Sequence, residues 1–195
     1  MNGKFPLDLT AIYELQQRIA EYEDEVAYKK LFFHFFLPLK SFSFSIVKSK
    51  ENAEEIVSDI FLDIWIKRKQ LSTIEGLKMY LYTAVRNNSL RKLQQNKKAT
   101  FFCLDEVQVE FASPDENAEA ILLTHELSHK IDLAINQLPQ RCKLIFKLAK
   151  EDKLKYKEIA ALLNVSIKTI DSHVATALKK IATVLNISLK KSSSN

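Results

Sequence analysis

Between Leu154 and Ile181 the apolar residues follow helical spacing twice, and the interruption at Asn164-Val165-Ser166 makes two short helices share a core across a tight corner. Upstream, Ile159, Leu162 and Leu163 mark one apolar side. Downstream, Ile167, Ile170, Val174, Leu178 and Ile181 recur at intervals of three and four and are expected to be buried. Ser166 can cap the second helix with its hydroxyl, and Asn164 is one of the few non-glycine residues that tolerates the left-handed backbone such a corner needs. The pattern is that of a helix-turn-helix. At 100° per residue, the second helix turns Lys168, Thr169, Ser172, Thr176, Lys179 and Lys180 away from the apolar stripe and leaves His173 at its edge, outside the core. In a helix lying in a major groove, short polar side chains reach base edges and lysines reach phosphates. A solvated helix of an ordinary bundle has the same surface, so the rest of the chain has to decide.

Composition narrows the fold to helix. Two glycines, Gly3 and Gly76, and four prolines in 195 residues are too few for a strand-rich fold with many tight turns or for a glycine-cradled phosphate site. With 47% apolar residues the chain can bury one real core or two small ones. No export signal and no run of 18 apolar residues stands out, so membrane insertion is not expected and a cytoplasmic location is. Cys103 and Cys142 lie far apart with no further ligand pair nearby, which reads as reduced thiols rather than a disulfide or a metal site; no cofactor is implied.

Charge is distributed in blocks. Residues 67–98 hold 9 Lys/Arg against 1 Asp/Glu, residues 99–138 hold 1 against 8, and residues 139–195 hold 12 against 4. Two basic blocks around an acidic one suggest two modules that touch a polyanion at separate places.

In the first half, residues 10–48 read as two helices with a strongly aromatic run, FFHFFLPLKSFSFSIV, expected to be largely packed inside and kinked or interrupted at Pro38. Lys50 to Lys69 reads as the next helix, with Ala53, Ile56, Val57, Ile60, Phe61 and Ile64 inward. Leu62 and Ile66 fall on the opposite side, near Asp59 and Asp63, with Trp65 at the boundary; two aliphatics stacked one turn apart and rimmed by carboxylates suggest a protein-docking stripe. In the following helix Leu77, Tyr80, Leu81, Ala84 and Val85 are expected inward, leaving Tyr82, Thr83, Arg86, Arg91 and Lys92 with access to solvent. Rings interleaved with arginine and asparagine suit single-stranded nucleic acid, although a core edge beside a basic helix end explains them equally well.

The expected organisation is all-α, with a helical domain over 10–96, a flexible linker over 97–116 and a second helical domain over 117–187 that holds the helix-turn-helix. A long helix from Asn117 to Leu138 opens the second domain, and Pro139 starts a helix whose short apolar face is Cys142, Ile145, Phe146 and Leu148.

Read together, AEEIVSDIFLDIW followed by GLKMYLYTAVRNNSLRKLQ resembles region 2 of the sigma-70 family, and LPQRCKLIFKLAKEDKLKYKEIAALLNVSIKTIDSHVATALKKI resembles region 4. In that order the two resemble an extracytoplasmic-function, group 4, sigma factor, more narrowly of the Bacteroidetes type. The resemblance implies binding to the clamp and flap of core RNA polymerase, recognition of promoter DNA both as duplex and as locally melted strands, and control by an anti-sigma factor. It places Asp59, Leu62, Asp63 and Trp65, with Ile66 of the same stripe, on the clamp-binding helix. Tyr80, Tyr82, Arg86, Asn87, Asn88, Arg91 and Lys92 fall in the segment that melts and reads the minus-10 element. Lys168, Thr169, Ser172, His173 and Thr176, with Lys179 and Lys180 behind them, fall on the helix that reads the minus-35 element. The chain departs from the family at Asp152-Lys153-Leu154-Lys155, where Glu-Gly-Leu-Ser is common, and at Asn164, where glycine is usual.

An enzyme is not expected, since no carboxylate pair, histidine-cysteine pair or triad emerges at meaningful spacing. A response-regulator transcription factor would explain the second domain but needs a receiver with alternating strands, for which residues 1–100 offer none. A helical adaptor would explain Leu62 and Ile66 but neither basic block.

Overall fold

The computed structural model describes residues 7–95 and 130–185, all of whose regular structure is helical. They fall into two compact units. The expected linker over 97–116, with Cys103, and the start of the helix expected from Asn117 lie outside the described residues.

The first unit contains α1 (Leu9–Tyr22), α2 (Glu25–Val47), α3 (Lys50–Ile66), a 3-10 turn (Arg68–Thr73) and α4 (Leu77–Gln95). Each of the first three helices starts on a side chain that accepts an otherwise unpaired backbone N–H: Asp8 from Ala11 at 2.7 Å, Asp24 from Ala27 at 2.9 Å and Ser49 from Asn52 at 3.1 Å. Left-handed residues, Glu23 and Lys48, end α1 and α2 and turn the chain back. Helix α2 packs against α1, α3 and α4, which accounts for a composition apolar enough to cross a membrane by length and content alone. It stays helical through Pro38. The Phe/Ser alternation in α2 serves close approach, because Ser43 and Ser89 are fully buried and their hydroxyls meet at 2.9 Å between α2 and α4. The aromatic run is less internal than its composition predicts: Leu31, Phe35, Leu39 and Phe42 face inward, while Phe33 is 72% exposed and Leu37 also faces solvent. All six residues expected inward on α3 are buried.

Helix α3 ends at Ile66 rather than near Lys69. The reason lies in α1, where the buried Gln16 donates from Nε2 to the carbonyls of Leu71 and Ile74, each at 3.1 Å, and holds the chain in a tighter turn over buried Leu71.

The second unit contains the helical stretch over 130–136 (α5), α6 (Gln140–Lys150), α7 (Tyr156–Leu163) and α8 (Ile167–Val184). Pro139 stands at the cap position of α6. Helix α6 is enclosed more widely than its four expected apolar residues suggest: every residue from Cys142 to Leu148 is buried, including Lys143, whose ammonium donates to Asn136 Oδ1 at 2.7 Å, and Lys147, which faces Glu151 at 3.9 Å. Asn164 takes the left-handed conformation at the corner, and Ser166 Oγ accepts from Thr169 N–H at 3.0 Å. The buried stripe of α8 is Ile170, Val174, Ala177 and Ile181; Ile167 and Leu178 are exposed, against expectation. Ala177 rather than the larger Leu178 takes the buried place on α8, which packs against both α6 and α7.

The two departures ahead of α7 have different outcomes. Lys155 has no side-chain acceptor for a helix cap, but Glu158 reaches back to its backbone N–H at 2.7 Å and satisfies that donor. Lys153 takes φ 56°, where a Cβ is strained by roughly 1 kcal/mol. Lys153→Gly is therefore expected to raise the opening free energy of core amides in α7 and α8 by about 0.5–1 kcal/mol, measured by native-state hydrogen exchange. Amides of α1 to α4 provide the internal control and should not change.

Candidate polymerase and nucleic-acid interfaces

Three helix faces carry the residues singled out in the sequence. On α3, Leu62 and Ile66 are 56% and 61% exposed, with Asp59 and Asp63 exposed beside them. Trp65 is half-buried and held from two sides: its ring lies 4.9 Å from that of Tyr28, and the Arg68 guanidinium sits 5.1 Å over it. Arg68 is itself fixed, donating to the Trp65 carbonyl at 3.1 Å and pairing with Glu23 at 2.7 Å, an ion pair that holds the Glu23 carboxyl below its ordinary value. The Tyr28 hydroxyl donates to the Phe61 carbonyl at 2.8 Å, so the aromatic support under this face is anchored to the backbone of α3. The result is an apolar stripe on a rigid base with a carboxylate rim.

On α4 the two tyrosines exchange the places expected for them. Tyr82 is 1% exposed and its ring lies 5.2 Å from that of Phe42, whereas Tyr80 is 46% exposed. The buried set Leu77, Leu81, Tyr82, Val85 and Ser89 places Tyr82 on the side facing α2, so it is a core residue and not an available stacking surface. Tyr80 instead borders an open groove that also runs past Gly76, Met79, Thr83, Asn87 and Asn88. Gly76 has φ +66° with open space where a Cβ would stand, so backbone conformation rather than room calls for glycine there. Asn88 is oriented by its own helix, donating to the Ala84 carbonyl at 2.9 Å and accepting from Arg91 at 2.5 Å. Arg91 and Asn87 are exposed and Arg86 is half-buried. Lys92 is engaged by both Glu55 carboxylate oxygens at 2.9 and 3.0 Å, which reduces its free positive charge. Sequence reasoning gave Thr83 access to solvent but no place in a site, and left out Gly76 and Met79; the usable signal is that Gly76, Tyr80, Thr83 and Asn87 recur at intervals of four, three and four on one helix face.

On α8, Lys168, Ser172, Thr176, Lys179 and Lys180 are exposed. Thr169 is half-buried, its hydroxyl 2.8 Å from that of Ser166 at the helix start, and Thr176 donates to the Ser172 carbonyl at 2.8 Å. His173 sits at the edge of the stripe as expected, half-buried, but with a contact that was not expected: its Nδ1 lies 3.0 Å from Sγ of the buried Cys142 on α6. A histidine-cysteine pair thus forms where sequence spacing suggested none. Burial pushes the Cys142 thiol up, against the opposing pull of Lys180 and Arg141, so it is held as S–H and is not an activated nucleophile. Among the described residues no cluster of three or more His, Cys, Asp or Glu could hold a metal ion.

Comparison with known proteins places these faces in a family context. Residues 35–99 match the profile of sigma-70 region 2, and residues 128–181 match that of sigma-70 region 4, together more than half of the chain. The chain is 24% identical over 178 residues to the ECF RNA polymerase sigma factor RpoE of Cereibacter sphaeroides, covering 89% of this chain and 94% of that protein. It is 29% identical over 143 residues to the ferric citrate uptake sigma factor FecI of Escherichia coli, covering 72% of this chain and 80% of FecI. Among solved structures, CnrH in complex with the cytosolic domain of CnrY is similar at a TM-score of 0.48 and 16% identity, covering 90% of this chain and 97% of that one. The sigma factor RpoE bound to the anti-sigma factor NepR, from Bartonella quintana, is similar at 0.48 and 20% identity, covering 83% and 98%.

Proposed function

The chain belongs to the sigma-70 family of RNA polymerase sigma factors, in its extracytoplasmic-function group, and on that basis we propose how its surfaces share the work. As a sigma factor it directs core RNA polymerase to promoters, in the cytoplasm, and is not an enzyme. None of the matched relatives bears on the narrower Bacteroidetes-type placement.

The division of labour rests on one observation: the first unit turns outward two helix faces that its own core does not use, on α3 and α4, and the second unit one, on α8. Residues 10–96 are assigned to polymerase docking and the minus-10 element, residues 97–116 to the linker, and residues 117–187 to the minus-35 element. The stripe of Leu62 and Ile66, with Asp59, Asp63 and Trp65, is the docking surface for the polymerase clamp. Without polymerase, an anti-sigma factor is the partner assigned to the same stripe, because two aliphatics more than half exposed on a rigid base favour cover. On α4, Tyr80, Asn87 and Asn88 line a groove that can take a base out of the stack, while Arg86, Arg91 and Lys92 hold the backbone of the melted strand. Tyr82 contributes by shaping the core beneath that groove. On α8, Lys168, Ser172 and Thr176, with Thr169 and His173 at the margin, face the minus-35 bases, and Lys179 and Lys180 face phosphate.

The test is holoenzyme binding to a panel of single-base minus-35 variants. Ser172→Ala is expected to relax preference at one or two positions, by roughly 1–3 kcal/mol for each base-edge hydrogen bond that the hydroxyl makes. Lys179→Ala is expected to lower affinity for every sequence about equally, by an amount that vanishes at high salt. A uniform loss for Ser172→Ala, or a base-specific loss for Lys179→Ala, would mean that α8 enters the groove on another face.

A further inference from the structure

Arg68 lies on the 3-10 turn after α3 and is not among the residues assigned to docking, yet its guanidinium is set against one that is. It sits 5.1 Å over the Trp65 ring, Nη1 donates to the Trp65 carbonyl at 3.1 Å, and Nη2 pairs with Glu23 Oε1 at 2.7 Å. Its Nε is buried with no acceptor among the described residues. A buried donor left without an acceptor is destabilising, so fold stability alone does not account for where this group stands. We infer that Arg68 is a positioning residue for polymerase docking: together with the Tyr28 ring it fixes the Trp65 indole, and Glu23, at the end of α1, holds the guanidinium in place. This rests on the reading of the α3 stripe as the docking surface.

A half-buried indole at the end of a helix has rotamer freedom to lose when a partner covers it, and ordering such a side chain opposes binding. A ring fixed beforehand avoids that loss. Arginine suits the task because its planar, weakly hydrated guanidinium can lie over an aromatic face while its N–H groups engage a carboxylate and a carbonyl. Each part of the support is itself tied down. The Tyr28 ring stands 4.9 Å from that of Trp65, with its hydroxyl bonded to the Phe61 carbonyl at 2.8 Å. Glu23 occupies the left-handed corner that ends α1, and Gln16 of the same helix bonds the carbonyls of Leu71 and Ile74 on either side of the end of the turn that carries Arg68. The Glu23 side chain is half in solvent, where an ion pair adds little to stability, so its loss leaves the fold intact.

Two measurements on the full-length chain test this. Trp65 is the one tryptophan in the sequence, so its indole N–H gives a resonance of its own. The order parameter of that N–H should lie near the rigid value of about 0.85 in the wild type and fall below about 0.6 in Arg68→Ala, with Glu23→Gln lowering it by less. In titrations with core RNA polymerase, Arg68→Ala should weaken binding by about 5-fold or more, the scale of one desolvated cation–ring contact. Added to Trp65→Ala, the same substitution should change binding by less than about 2-fold, because Arg68 acts through the ring. An indole no more mobile in Arg68→Ala, an unchanged core affinity, or an equal loss in the Trp65→Ala background each overturns the inference, the last by making Arg68 a direct contact. If Arg68→Ala does not fold, Glu23→Gln decides it by the same readings. Equal core affinity for Leu62→Asp and wild type would refute the docking stripe itself, and this inference with it. A loss for Leu62→Asp without one for Arg68→Ala refutes only the role of Arg68.

Discussion

Leu62→Asp should weaken binding to core RNA polymerase by about 30-fold or more, the 2 kcal/mol or greater of a buried interface anchor, while changing the chain's stability by no more than roughly 0.5 kcal/mol. The two effects separate because Leu62 is already more than half in solvent, so the isolated fold does not depend on its burial. In the complex the same site is desolvated, and a carboxylate there must shed water without a partner. Asp59 and Asp63 flank it on the same helix and add like charge. Trp65 and Arg68 hold the surface beneath in place, so the stripe cannot readily retreat from the substitution. Titration of labelled protein into core polymerase reads the effect, with urea unfolding of each protein as control. Equal affinities for two folded proteins would remove the stripe from the account.

The tyrosines of α4 should separate in the opposite sense. Tyr82→Ala is expected to cost roughly 3–4 kcal/mol of stability in the first unit, the cost of deleting a fully buried aromatic ring and leaving its space partly unfilled. It would also strip the facing ring of Phe42 of its partner. Tyr80→Ala should cost no more than about 0.5–1 kcal/mol, because much of its ring is in solvent, but should reduce open-complex formation. Urea unfolding followed by a probe in the first unit, together with permanganate reactivity of promoter thymines, distinguishes the two. A Tyr82→Ala protein as stable as wild type would show that this ring is not part of the core.

How much could be read from sequence varied with the kind of signal each helix carries. The inward set of α3 was fully legible because Ala53, Ile56, Val57, Ile60, Phe61 and Ile64 follow one stripe, so Leu62 and Ile66 stood out as exceptions. Helix α4 was harder, since it places a tyrosine on each of two adjacent faces and buries a serine, and its packing against α2, where Tyr82 meets Phe42, covers the second ring. On α8 the rule of burying the larger side chain chose Leu178 over Ala177, whereas the packed helix buries the alanine and exposes the leucine. The corner itself was legible, because Asn164 and Ser166 act through local backbone geometry. Contacts between distant residues left no local trace: Gln16 shortens α3 from more than fifty positions away, and Cys142 reaches His173 from 31.

Transcription from genomic promoters, reconstituted with purified core RNA polymerase and the full-length protein, is the decisive measurement. Transcripts from defined start sites should depend on the protein, the minus-10 region should open in the same complexes, and Leu62→Asp should reduce both when the protein is not saturating. No initiation at any promoter, with a known sigma factor active on the same core, would contradict the assignment of these surfaces to promoter-directed initiation.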